Sequence, residues 1–426
     1  MRVLLINAPV ARASLHSRQS PPLGVAYLAD AVRRAGHEAE VLDLNVSGLN
    51  LRRLDAVMGR LHPDLVGVSA HTETYPNALR ILQHLRKASP GVCSVFGGPH
   101  PSIMPESVLA ESSVDFVVVG EGERTLIELA DAVESGSTDF PAIKGLGWKD
   151  AGTPIVNERR APMHADEVGL PARDLLSLDF YADPFSVLTA RGGCPYRCPF
   201  CSASFIWRGV HRQRSAQAVV DEIEMLARDY GARSVFFVDD IFTLDQRWVD
   251  ELLVELERVR GVVTWGCATR VDLVDVGLLG RMAAAGCTGV QFGVESGSQT
   301  ILDSVKGIEK PRAIDAVTWA VAAGIHATAS FMVPFPDDTL ETLRETFEFM
   351  GQLQDAGAEL MMSYTAPFPG TIFYDKADEL GLRILTDDWE QFDAKHIVME
   401  TRNLSAATIE RVVDREIGRL GLGKTA

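Results

Sequence analysis

Arg191-Gly192-Gly193-Cys194-Pro195-Tyr196-Arg197-Cys198-Pro199-Phe200-Cys201-Ser202 is the stretch that decides the fold. Its cysteines are spaced C-x3-C-x2-C, and the glycine and proline punctuation makes a tight loop rather than a core strand. Three thiolates on one short loop are one ligand too few for a closed tetrahedral zinc site or a fully ligated iron–sulfur cubane. A [4Fe–4S] cluster held this way keeps one iron open to chelate an outside molecule. A zinc knuckle completed by His211, or three unrelated thiols, are the competing readings.

With Phe200 placed just before the third cysteine, the run resembles the signature of the radical S-adenosylmethionine enzymes. The resemblance makes Cys194, Cys198 and Cys201 the cluster ligands. It implies that the open iron binds the amino and carboxylate groups of S-adenosylmethionine and that Phe200 packs near the adenine. An electron from the cluster then breaks a carbon–sulfur bond, and the released 5′-deoxyadenosyl radical abstracts hydrogen from a substrate.

The surrounding pattern suits a barrel. Apolar runs Phe185–Thr189, Ser234–Val238, Val262–Ala268, Gly289–Gly293, Ala327–Val333 and Glu359–Tyr364 alternate with helical stretches such as Ala216–Asp229, Arg247–Arg258 and Leu340–Leu353. These βα units predict a partial (β/α)6 barrel over residues 185–381, and the cysteine loop follows its first strand, at the carboxyl end where barrel sites lie. The family resemblance extends to the later strand ends. It implies that Asp239 and Asp240 receive the ammonium of the methionine moiety. Arg270 would clamp the carboxylate through its planar fork, and Glu295, assisted by Ser296, would hold a ribose hydroxyl. Pro334 stands where relatives often have glycine, which puts a local backbone contact to adenine in doubt.

Ahead of this block, residues 1–135 alternate in the same way. Strand runs at Val3–Ile6, Ala39–Leu44, Leu65–Val68, Cys93–Phe96 and Phe116–Val119 are separated by helical stretches such as Gly24–Arg34, Ala78–Lys87 and Thr125–Val133. Continuous apolar runs fit strands buried on both faces of a parallel sheet. The expected fold is a flavodoxin-like, doubly wound α/β domain whose ligand sits beyond the carboxyl ends of its strands. Ser69-Ala70-His71-Thr72, Phe96-Gly97-Gly98-Pro99 and Gly120-Glu121-Gly122-Glu123 occupy three such ends.

The order of these loops resembles the cobalamin-binding domain found ahead of many radical S-adenosylmethionine barrels. It implies a cobalamin site using Ser69, His71, Gly97, Gly98, Gly120 and Glu121. The D-x-H-x-x-G motif that ligates cobalt in many cobalamin folds is missing from the loop 8–22. Asp43-Leu44-Asn45-Val46-Ser47-Gly48 has a similar shape but follows the wrong strand. His16 or His71 facing cobalt, and either one as a solvated loop histidine, both remain open.

Between the blocks, residues 136–184 read as a linker with a hairpin turn at Asp150-Ala151-Gly152, and residues 382–426 as a C-terminal helical tail. Six cysteines in 426 residues, three of them at the motif, do not form a disulfide framework, and Cys93, Cys267 and Cys287 read as buried structural thiols. A cytoplasmic setting is expected, since the start lacks a signal-peptide layout and no apolar stretch is long enough to span a membrane. The net charge of −17 argues against a large nucleic-acid footprint.

The resulting expectation is a cobalamin-dependent radical methyltransferase acting on a small molecule, supplied by a flavodoxin- or ferredoxin-type electron donor. A radical cyclisation, rearrangement or dehydration without methyl transfer is the runner-up. A zinc- or cobalamin-binding regulatory module is the non-enzyme alternative. RNA modification of the methylthiotransferase kind is set aside, because the amino-terminal block has Cys93 alone and the tail mixes both charge signs.

Overall fold

Residues 1–11, 20–182 and 185–422 are described by a computed structural model, and His16 lies outside them. The chain divides into two compact units, Met1–Pro184 with Phe205–Trp207, and Phe185–Ser204 with Arg208–Ala426.

The first unit contains β1 (Arg2–Asn7), β2 (Glu38–Asp43), β3 (Leu65–Ser69), β4 (Cys93–Gly97), β5 (Phe116–Val118), β6 (Leu146–Asp150) and β7 (Thr153–Val156). They lie in the order β2-β1-β3-β4-β5-β6-β7. The first five are parallel, and 2-1-3-4-5 is the flavodoxin-like order, with its ligand crevice beyond the carboxyl ends. Side chains alternate across each strand. Leu4 and Ile6 therefore pack toward the helices Leu51–Leu61 and Tyr75–Ala88, while Val3 and Leu5 pack toward Leu23–Arg34 and Glu123–Ser135.

The stretch 136–184, expected as a linker, departs from that expectation. Its strands β6 and β7 pair antiparallel and extend the sheet from β5. Ala151 and Gly152 both take positive φ, 46° and 87°, the geometry that joins two strands through a two-residue loop. Near the end of the stretch, the Tyr181 hydroxyl donates to Asp43 in the buried interior.

The second unit contains β8 (Ser186–Val187), β9 (Ala190–Gly192), β10 (His211–Gln213), β11 (Ser234–Phe237), β12 (Thr264–Thr269), β13 (Cys287–Glu295), β14 (His326–Val333), β15 (Glu359–Tyr364), β16 (Leu382–Ile384) and β17 (Met399–Thr401). Six of them form the expected partial barrel, parallel throughout, in the order β15-β14-β13-β12-β11-β8. The first barrel strand is shorter than predicted. Thr189 and Ala190 turn their N–H groups to the Asp239 carboxylate at 2.8–3.1 Å instead of extending β8.

Phe292, Val294, Ala329 and Phe331 are fully buried in the core beneath the outer helices. On the opposite face of the same two strands, Gln291, Gly293, Thr328 and Ser330 are only partly covered. Closed barrels fill that inner face with bulky branched side chains. On these two strands it is mostly small or polar.

Residues 382–426 also differ from the expected helical tail. They open with an antiparallel hairpin of β16 and β17, and the following helix Ala406–Leu420 lays Ile409, Val413 and Ile417 into the barrel core. Spacing of four residues puts these side chains on one face. Cys267 and Cys287 are buried as expected, whereas Cys93 is only half-buried. Among the described residues, no helix is long and apolar enough to cross a membrane.

Candidate active site

The chain enters the cysteine loop through Gly192, at φ 87°, where a Cβ would stand 2.0 Å from the Val210 carbonyl oxygen. Only glycine fits there. Two neighbouring carboxylates at the end of β11 then fix the loop. Asp239 accepts from Thr189 N, Thr189 Oγ1 and Ala190 N, and Asp240 accepts from the Cys194 backbone N–H. Asp239 is buried, and its oxygens are already engaged by the strand that leads into the loop. Asp239 is thus occupied in holding the entry to the loop, whereas the resemblance implied contact with the methionine ammonium.

Cys194, Cys198 and Cys201 are each partly covered, and Cys201 N donates to the Cys198 carbonyl at 3.1 Å. Burial raises all three thiols, Cys201 up to about 11. A bound cationic metal group is what holds such thiols as thiolates, so three partly exposed thiols on one loop, close enough to act on one another, fit the proposed cluster. His211, the fourth ligand of the zinc alternative, lies opposite Gly192 in the β9–β10 pair and has Asp245 and Arg212 among its electrostatic neighbours. Phe200 packs edge-on against Phe335 at 5.8 Å and near Phe373 at 6.3 Å, within an apolar cluster that includes Leu382 and Met399.

At the end of β12, Arg270 lies over the Tyr196 ring at 4.0 Å and grips Asp272 through Nε and Nη2, both at 2.9 Å. Its Nη1 is buried with no hydrogen-bond partner among the described residues. A buried donor left unpaired costs about 1–3 kcal/mol, so this nitrogen fits a site for an anionic group such as a carboxylate. Glu295 ends β13 at φ 76° and pairs with Lys306 at 2.7 Å. Ser296 does not share that availability. Its hydroxyl is buried, contacts Thr346 Oγ1 at 3.1 Å and accepts from Ser298 N. Sequence reasoning missed Lys306, because it lies eleven positions after Glu295 across an intervening helix, Gln299–Val305.

In the first unit the three polar strand ends come together. Gly98 takes φ 98°, and a Cβ on it would lie 2.7 Å from Ala70 O and 2.9 Å from Ser69 Oγ. Ser102, another residue missed in sequence, donates from Oγ to Gly98 O at 2.8 Å and accepts from Gly120 N at 2.9 Å. It thereby ties the β4 and β5 loops together. Gly120, at φ 82°, has open space where its Cβ would stand, and Glu121 accepts from Met163 N. Gly97 keeps the nearest atom to a notional Cβ at 3.9 Å. At Gly120 bare backbone beside open space fits a large ligand lying close against the loop, whereas the missing Cβ of Gly98 lets its strand end pack on Ala70. His71 is pinned through its backbone N–H to Thr74 Oγ1 at 3.0 Å, and desolvation holds its imidazole below the usual range.

Behind these loops His100 is buried, stacks on Tyr75 at 4.3 Å and places Nδ1 3.2 Å from Thr72 Oγ1. Burial lowers its pKa to about 4. As pH falls, the unfolded chain therefore takes up the proton first. The stabilisation is complete above about pH 6.5 and is lost as pH drops through the folded value, on the order of 2 kcal/mol by pH 5. Urea denaturation between pH 7 and 5 should show a smaller loss in His100→Gln than in the wild type, and equal pH slopes would refute the assignment.

Residues 16–130 match the family model described as a B12 binding domain, and residues 190–350 match that of the radical SAM superfamily. An uncharacterised methyltransferase of Pyrococcus horikoshii is 32% identical over 422 residues, covering 97% of this chain and 91% of that protein. The anaerobic magnesium-protoporphyrin IX monomethyl ester cyclase of Rubrivivax gelatinosus is 30% identical over 389 residues, covering 88% and 68%. Among solved structures, the radical S-adenosylmethionine methyltransferase TsrM of Kitasatospora setae, holding cobalamin and a [4Fe–4S] cluster, shares the fold. Its TM-score is 0.78 at 22% identity, over 99% of this chain and 88% of that one.

Proposed function

Since this chain belongs to the cobalamin-binding radical S-adenosylmethionine enzymes, we propose that it methylates an unactivated carbon of a small, natural-product-like substrate. The enzyme works with a [4Fe–4S] cluster, S-adenosylmethionine and cobalamin. Methyl transfer as the outcome is supported by one observation above others: the likeness to a methyltransferase runs over 97% of the chain, through both units.

When bound, the cluster and cobalamin supply the electron that cleaves S-adenosylmethionine and the carrier for the methyl group. The protein contributes position. Cys194, Cys198 and Cys201 would hold three irons, and Asp239 and Asp240 keep their loop in register. Arg270 would direct Nη1 to the methionine carboxylate, and Glu295 would orient the ribose. In the first unit, Gly97, Gly98 and Gly120 would let the corrin or its side chains approach backbone, with Ser69, His71 and Glu121 at the rim. Fixing reacting groups in this way replaces the entropy otherwise lost at the transition state. An external one-electron donor of flavodoxin or ferredoxin type, in a reducing cytoplasm, completes the reading.

The likeness to a cyclase favours a second reading, in which the radical closes a ring and no methyl is transferred. Reduced, anaerobically reconstituted enzyme incubated with metabolite extract and methyl-deuterated S-adenosylmethionine separates the two. A product carrying the labelled methyl supports the first. Deoxyadenosine release with an unlabelled, altered product supports the second and overturns the first.

A further inference from the structure

Lys306 closes the chain segment after the helix Gln299–Val305, and its ammonium is almost entirely covered, with 7% of the side chain exposed. It donates to Gly293 O at 2.5 Å and to Glu295 Oε1 at 2.7 Å. Its own carbonyl accepts from Arg270 Nη2 at 3.0 Å. Lys306 thus joins the ends of β12 and β13, which the sequence presents as unrelated. Lys306 is near enough to the cysteine loop for its charge to be felt at Cys198.

The local backbone is shaped around this lysine. The register of β13 against β14 shifts between Gly293 and Glu295, and Glu295 takes φ 76°, a conformation that side chains other than glycine adopt at a cost. A Cβ on Gly293 would lie 2.5 Å from Glu295 Oε1 and 2.6 Å from Lys306 Nζ. Glycine at that position is what leaves room for the pair. Burying a lysine charge is unfavourable unless it is matched, and here one carboxylate oxygen matches it. Oε2 of Glu295 has no hydrogen-bond partner among the described residues and is not among the sealed, unpaired atoms.

We propose that Lys306 is a positioning residue for the nucleoside of S-adenosylmethionine, clamping Oε1 of Glu295 so that Oε2 is presented to the ribose hydroxyls. This rests on the reading of the cysteine-loop site given above. Without the clamp, Glu295 is free to leave its strained conformation, and the site stops distinguishing a hydroxylated sugar from one lacking hydroxyls. The rest of the cofactor keeps its contacts.

The test uses anaerobically reconstituted full-length protein without reductant, so that no chemistry occurs. Affinities for S-adenosylmethionine and for its 2′,3′-dideoxyribose analogue are measured by equilibrium dialysis. A hydrogen bond to a charged carboxylate predicts that wild type prefers the hydroxylated ligand by about ten- to a hundredfold. Lys306→Met should shrink that preference to within a few-fold while barely changing affinity for the dideoxy analogue. Gly293→Ala, which displaces the same pair by sterics, should do likewise and serves where Lys306→Met folds poorly. Equal weakening of both ligands, or an undiminished preference in both variants, overturns the role of Lys306 and leaves the cluster site standing. Wild type that binds neither ligand overturns the reading of the site itself, and this inference with it.

Discussion

Cys198→Ala protein, reconstituted anaerobically with iron and sulfide, is expected to lose its iron–sulfur absorbance and to cleave S-adenosylmethionine at least about a hundredfold more slowly. Disturbing residues that merely support a metal ligand already costs 10–100-fold, so deleting one of three ligands exceeds that. Cys198 occupies the middle of the triplet, and its carbonyl accepts the Cys201 N–H. Losing its sulfur leaves two ligands where the open cubane needs three. Cobalamin affinity should stay within about twofold of wild type, because the glycine-rich loops belong to the other compact unit. Metal analysis together with cobalamin binding decides the matter. Retained cluster in Cys198→Ala would overturn Cys198 as a ligand, and zinc in place of iron in the wild type would remove the basis for radical chemistry.

The second large effect concerns stability. Arg214 and Glu222 form an ion pair at 2.6 Å with side-chain exposures of 5% and 0%. Arg214 also donates to Leu188 O at 2.9 Å and to Ala218 O at 3.2 Å, and its carbonyl accepts from Trp248 Nε1. It therefore ties the segment just before the cysteine loop to the helix Ala216–Tyr230. Glu222→Ala removes a carboxylate paired with a buried guanidinium and should destabilise the barrel unit by about 3–5 kcal/mol, whereas replacing both residues by apolar ones of similar volume should be much closer to neutral. Chemical denaturation of the single and double variants measures this. A loss under about 1 kcal/mol for the single variant would show that water or a rearranged partner takes over the charge.

The parts legible in sequence were those governed by local pattern. Ligand spacing in Cys194–Cys201 is a local property, and continuous apolar runs located the strands of both sheets to within about two residues at most ends. The Ala151-Gly152 turn announced a hairpin, but nothing local said that its strands would pair onto β5. Long-range pairing is decided by which apolar faces remain uncovered, and spacing carries no record of that. The surroundings of the site residues were hidden in the same way. Asp239 and Asp240 look equivalent side by side, yet past the end of β11 they take different partners, one the Thr189–Ala190 backbone and one Cys194. Ser296 looked like a partner for ribose until its hydroxyl was found closing a turn with Thr346 and Ser298. Lys306 and Ser102 carried no motif at all, because each acts by joining two loops distant in sequence.

The hydrophilic inner face of β13 and β14, exemplified by Gln291, Thr328 and Ser330, has an evolutionary consequence. Because it lies on alternate positions from the packed side, it can be exchanged without disturbing Phe292 or Phe331 beneath the helices. Descendants of one such scaffold are then free to trade guests while keeping their framework. Drift along those inward positions is where a change of metabolite should first leave its trace.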